Sequence, residues 1–165
     1  MTDEQPRQTI KSKLAKGSAV AVLATALVGG FEGLRQTAYP DPASRGPPWT
    51  VCYGHTGPEV RRGVHESLTE CKELLRKDLT KEAEFLDRCI LVPTTVGQDV
   101  ALLSLAYNIG GGGVCRSSVA RDMNAGRYTQ ACNDFLKFDR AMGIVFPGLV
   151  RRRHAERRMC LGENR

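Results

Sequence analysis

No cysteine occurs in the first fifty residues, and no charged side chain lies between Lys16 and Glu32. No apolar run reaches the roughly 20 residues that a helix needs to cross a hydrocarbon core of about 30 Å. The uncharged stretch Gly17 to Gly30 reads GSAVAVLATALVGG, with four Ala, three Gly, one Ser and one Thr among fourteen residues. As a helix it would reach about 21 Å, so it would span only poorly, with Leu14 and Ala15 recruited and Lys16 snorkelling to the interface. The four glycines Gly110 to Gly113 are followed by no G-K-[ST] and come after a helical pattern rather than a strand. That excludes a phosphate loop and makes the run a helix stop and flexible turn. Cys52 and His55 form the one tight Cys/His pair, and the other spacings fit no zinc pattern, so disulfides are expected instead of a metal site. There is one tryptophan, Trp49. A lone aromatic is usually core, so packing is expected of it, with stacking on a sugar as the alternative use.

What is present is ordinary for a globular chain. One hundred and sixty-five residues make one domain with a real core and a short appendage. Six cysteines in this length suit an oxidising compartment such as the periplasm, but they do not select a connectivity. The net charge is +6, crowded at Arg7 to Lys16 and again at Arg151, Arg152, Arg153, Arg157 and Arg158. Such a balance favours a polyanion, whether nucleic acid, anionic lipid or an acidic wall polymer, without choosing among them. On charge alone, the Arg-rich end reads as a solvated helix face.

Taken in order, Arg7, Lys11, Lys13 and Lys16 precede the uncharged stretch. Three readings of Gly17 to Gly30 compete: a buried helix of the domain, a cleaved signal peptide with Ala24-Thr25-Ala26 as its A-x-A site, or a weakly hydrophobic, reversible membrane anchor. Arg35 to Thr56 is rich in turn formers with short β-prone segments such as WTVCY, and reads as a small β-hairpin region. Ser67 to Glu70 is a capping box opening a long amphipathic helix through Leu68, Cys71, Leu75, Leu79, Leu86 and Cys89. Thr95 and Gln98 form a second capping box, and Val100 to Ile109 is apolar on most faces, as a central buried helix should be. Ser117 or Ser118 caps a short helix that Gly126 ends. A further helix is expected from about Thr129 to Met142, and Pro147-Gly148 opens the last one.

The chemistry is concentrated between Phe31 and Thr56. Glu32, flanked by Phe31 and Leu34, would sit against apolar groups that disfavour its charged form. Asp41, between Pro40 and Pro42, would stay ionised in a turn rich in water and backbone donors. Two carboxyls in opposite environments are what cleavage of a glycosidic bond requires, and Thr50 adds a hydroxyl.

The order E-G-L-R, then Y-x-D, then W-T-V-C-x-G-H-T-G resembles the phage lysozyme (endolysin) family of muramidases. The likeness continues through LSLAYNIGGGGVCRSSVARDMNAG to GLVRRRHAER, roughly Phe31 to Cys160. It implies an α+β, mostly α, two-lobed lysozyme-like domain with a small β-hairpin lobe and a helical lobe, bridged by the long helix. It also implies Glu32 as general acid, Asp41 as the group that positions or activates the attacking species, and Thr50 as the holder of the water. Between Asp41 and Thr50 the chain is longer than the family pattern, with Pro42, Pro47 and Pro48 in the insert. By the same likeness Arg152 pairs with the catalytic glutamate, while Asn108 and Trp49 are supporting candidates. The pairs Cys52–Cys71, Cys89–Cys115 and Cys132–Cys160 resemble those of the family.

The resemblance favours the anchor reading, of the signal-anchor-release type. Residues 1–30 would be the anchor segment and 31–165 the catalytic domain, held at the host inner membrane facing the periplasm and then released; cleavage as a signal peptide is the alternative. Expected are a monomer acting on peptidoglycan, no cofactor or metal and no nucleic-acid partner. A lytic transglycosylase on the same bond, or a non-enzymatic basic wall-binding module, are the competing functions.

Overall fold

The computed structural model describes residues 7–40 and 47–163. In chain order these form α1 (Ile10–Lys13), α2 (Ala19–Glu32), β1 (Arg35–Pro40), β2 (Trp49–Cys52), β3 (His55–Thr56), α3 (Leu68–Cys89), α4 (Val96–Ile109), α5 (Gly111–Cys115), α6 (Ser118–Asn124) and α7 (Tyr128–Asp134). A 3-10 turn (Phe135–Lys137), β4 (Arg140–Ala141), β5 (Ile144–Val145) and α8 (Pro147–Leu161) complete them. The residues divide into two compact units, one made of the chain up to Ala24 and from Thr80 onward, the other of Thr25–Leu79. The class is α+β and mostly α, as the sequence suggests.

The larger unit is built on α4. Its Val100 to Ala106 segment is wholly buried because apolar residues occupy nearly every position of two turns, which leaves no polar face. The capping box forms as expected, Gln98 N–H donating to Thr95 Oγ1 and Thr95 N–H to Gln98 Oε1. Helix α8 packs on α4, and Gly97 permits it: a Cβ at that position would run into the Met159 carbonyl. The bridges Cys89–Cys115 and Cys132–Cys160 close within this unit.

Two sequence readings are corrected here. Of the four glycines Gly110 to Gly113, Gly110, at φ +84, ends α4, while Gly111 to Gly113 belong to α5. Gly111 lacks a side chain because a Cβ there would strike Phe85 Cβ, and its N–H donates to Glu82 Oε2 at 2.6 Å. Gly111 therefore serves a close approach between helices, which local spacing does not reveal. The helix expected to reach Met142 ends at Asp134, passes through the 3-10 turn and gives way to a β-hairpin, because Met142 (φ +49) and Gly143 (φ +76) take the left-handed conformations of a tight two-residue turn.

Of the basic N-terminal residues, Arg7, Lys11 and Lys13 are engaged by the rest of the unit. Thr9 caps α1, and Ile10 and Leu14 are buried. The amides of Ile10 and Lys11 donate to the two oxygens of Asp87, at 2.6 and 3.1 Å. Lys11 Nζ lies 2.7 Å from Glu84, and Lys13 Nζ 2.9 Å from the fully buried Asp99. Arg7 donates to the carbonyls of Ile90 and Asp87. Burial pushes the Asp99 carboxyl above its ordinary range, opposed by its hydrogen bonds from Thr94 and Lys13.

Helix α2 fits the buried-helix reading of Gly17 to Gly30 in its folded form: Val20, Ala24 and Val28, one turn apart, are buried. Among the described residues no helix is long and apolar enough to cross a membrane.

Candidate active site

The smaller unit carries the residues that the sequence singles out. Gly33, at φ +70, stops α2, and its N–H closes on the Gly29 carbonyl at 3.2 Å. Glu32 is thus the last helical residue, half-buried, its carboxylate projecting from a helix end. The antiparallel sheet runs β1-β2-β3, with Tyr39 opposite Thr50, Pro40 opposite Trp49, and Val51 opposite His55.

The β2–β3 turn is pressed against the end of α2. Tyr53 lies over Gly29, where a Cβ would stand 3.4 Å from the ring, and Gly54 lies beside Glu32, where a Cβ would stand 3.5 Å from Oε2. At these distances a Cβ would make ordinary contact, so it is backbone conformation and not space that favours glycine at Gly54. The turn itself needs left-handed backbone at Cys52 (φ +61) and Gly54 (φ +85). For a residue other than glycine that conformation is unfavourable, and the disulfide from Cys52 to Cys71 on α3 ties Cys52 in place. Cys52 is accordingly a bridge, not a metal ligand.

Thr50 is buried on the central strand, beside the point where β1 ends. Asp41, the next residue after Pro40, lies outside the described residues. Trp49 is half-buried and packs on the cluster of Val51, Cys52, Val60 and Cys71, the packing use expected of it. Phe31 and Leu34 keep 38 % and 41 % of their surface exposed, so they do not form the apolar enclosure that their adjacency to Glu32 suggests. Asn108 is an exposed residue near the end of α4.

Sequence reasoning missed His55. Its ring is buried between two carboxylates, Nδ1 at 2.7 Å from Asp78 Oδ2 and Nε2 at 2.8 Å from Glu59 Oε1. Burial alone would lower its pKa, but the hydrogen bonds and charges of Glu59 and Asp78 outweigh it and raise the pKa above the ordinary 6.5. With an acceptor on each nitrogen, the doubly protonated ring satisfies both, and it fastens β3, directly after Gly54, to α3. A group whose pKa is raised on folding adds stability that is full below its unfolded value and is lost as pH rises through the folded one. The stability gap between the parent and His55→Gln is therefore expected to be widest below about pH 6.5 and to shrink at alkaline pH. Urea titrations of both proteins from acid to alkaline pH check this; a gap that widens with pH would refute the clasp.

The arginine-rich end also departs from the charge-based reading. Arg152 and Arg153, on α8, are buried, 4 % and 0 % exposed, rather than solvated. Both engage the buried Glu156: Arg152 Nε lies 3.1 Å from Oε1 and Arg153 Nε 2.7 Å from Oε2. Arg152 also donates to the Ser104 carbonyl at 3.0 Å, and Ser104 Oγ donates to Glu156 at 2.6 Å. The i+3 and i+4 spacing of Glu156 from the two arginines was the available signal.

A glutamate at a helix end set against a small antiparallel sheet with a buried threonine, accompanied by a separate helical unit around one apolar helix, has the organisation of a lysozyme-type glycoside hydrolase. The comparisons agree. The chain belongs to the phage lysozyme family, whose model matches residues 29–156. It is 35 % identical over 150 residues to the SAR-endolysin of Enterobacteria phage P21, covering 88 % of this chain and 89 % of that protein. Among solved structures it resembles the muramidase domain of SpmX from Asticaccaulis excentricus (34 % identity, TM-score 0.76, 84 % of this chain and 94 % of that one). A P22 lysozyme variant is similar at 32 % identity, TM-score 0.76 and the same coverage. The chain is a glycoside hydrolase of the peptidoglycan-cleaving, endolysin kind.

Proposed function

We propose that the chain cleaves the β-1,4 bond between N-acetylmuramic acid and N-acetylglucosamine, and that Glu32 is the acid that protonates the leaving oxygen. The supporting observation is the placement of Glu32: it ends α2, its carboxylate rests on the Gly54 turn, and the strand of Thr50 lies in the same sheet. Asp41, which follows Pro40, stabilises the developing oxocarbenium charge or directs water, with Thr50 holding that water. Arg152 as support for Glu32 rests on the family resemblance.

The N-terminal segment, residues 1–30, acts as a release anchor ahead of a catalytic domain 31–165. The likeness to a SAR-endolysin and the low hydrophobicity of Gly17 to Gly30 support this reading. The enzyme is first held at the host inner membrane, then works in the periplasm as a monomer to lyse the host. Mass spectrometry of fragments released from purified peptidoglycan tests the reaction: reducing-end muropeptides are expected, and anhydro products would reassign it to a lytic transglycosylase.

A further inference from the structure

Between the 3-10 turn and α8 the chain forms a hairpin whose exterior is apolar. Met142 is 92 % exposed, Ile144 63 %, Val145 42 % and Phe146 41 %. Monomeric proteins seldom leave adjoining large apolar side chains in water without a use for them. None of the six residues from Ala141 to Phe146 carries a polar side chain. The backbone is nevertheless well closed: Arg140 pairs with Val145 and Ala141 with Ile144, and Phe146 N–H donates to the Asp139 carbonyl at 3.0 Å. Such a tip can leave water without stranding many unpaired peptide groups.

Its surroundings are cationic. The side chains of Lys137 and Arg140 are 58 % and 61 % exposed, Lys137 Nζ pairing with Asp134 at 2.9 Å and Arg140 Nε standing 3.7 Å from Asp139, and Arg151 near the start of α8 is exposed. In both pairs the carboxylate is the covered partner, Asp134 buried and Asp139 half-buried, so the cationic ends face water. We infer that the hairpin Arg140–Phe146 is a membrane-surface contact. Its apolar tip enters the interface of an anionic bilayer, and the flanking Lys137, Arg140 and Arg151 meet the headgroups.

The chemistry selects this occupant. A glycan calls for hydrogen-bonding side chains and stacked rings, whereas the tip offers Met, Ile and Val, which gain most from burial in acyl chains. A second copy docked tip to tip would bring the same cations face to face. The contact does not depend on the N-terminal segment.

The test compares the oxidised full chain with its Met142→Ser/Ile144→Ser variant, both carrying the N-terminal segment, so their difference reads the hairpin. Vesicles of phosphatidylethanolamine with phosphatidylglycerol are expected to sediment the parent, with a roughly tenfold or greater fall in apparent affinity for the variant. Pure phosphatidylcholine vesicles should bind the parent weakly. Unchanged hydrolysis of purified peptidoglycan by the variant shows that it is folded. In a Met142→Trp protein, tryptophan emission should shift to the blue on anionic vesicles. Equal sedimentation of parent and variant, or no emission shift, overturns the inference. So does loss of peptidoglycan retention with vesicle binding intact, which would assign the hairpin to glycan, or a parent dimer that the variant abolishes, which would assign it to a second copy.

Discussion

Glu32→Gln is expected to lower the rate of peptidoglycan hydrolysis about a thousandfold while leaving the unfolding midpoint nearly unchanged. The amide keeps the shape of the side chain against Gly54 and removes the transferable proton. Since Glu32 is half-buried at a helix end, the isosteric substitution opens no cavity. Turbidity loss of cell walls, measured beside thermal unfolding of the same sample, separates chemistry from folding. A variant retaining a tenth or more of the parental rate would remove Glu32 from its role as acid.

The opposite signature is expected at Glu156. Its carboxylate is shared by Arg152 and Arg153, and all three side chains are buried. Glu156→Gln keeps the volume and removes the charge that offsets two guanidiniums in a poorly solvated place. Breaking a buried pair by deleting one partner costs about 3–5 kcal/mol, a large fraction of a domain's typical net stability. Denaturant unfolding should show the midpoint falling sharply at unchanged slope. If the variant unfolds within about 1 kcal/mol of the parent, the cluster behaves like a surface ion pair and the argument fails. Arg152→Lys should be costly as well, because an ammonium does not reproduce the fork that reaches both Glu156 and Ser104.

The sequence displays these features unevenly, for physical reasons. Both capping boxes, at Ser67–Glu70 and Thr95–Gln98, are local hydrogen-bond patterns, and each forms as written. Glu32 and Thr50 enter as candidates through a resemblance carried by consecutive residues, and their roles await the test above. His55 is not, because its partners lie four and 23 positions away and meet it only through folding. Gly111 reads as a breaker because nothing local announces Phe85 above it. The hairpin at Met142-Gly143 is masked by a helical apolar spacing from Cys132 to Leu136, although a turn pair followed by Ile-Val-Phe is the stronger signal there. Arg153 reads as solvated because charge is weighed before its neighbour Glu156.

The three disulfides join neighbouring cysteines in the chain, Cys52–Cys71, Cys89–Cys115 and Cys132–Cys160, so no bridge encloses or crosses another. In a polypeptide delivered to an oxidant from its N-terminus, each cysteine finds its partner in the next one to emerge. Every loop can be sealed before the following pair appears, and pairing in order of arrival is already the native pairing. Such a chain has little need for an isomerase to reshuffle its bonds.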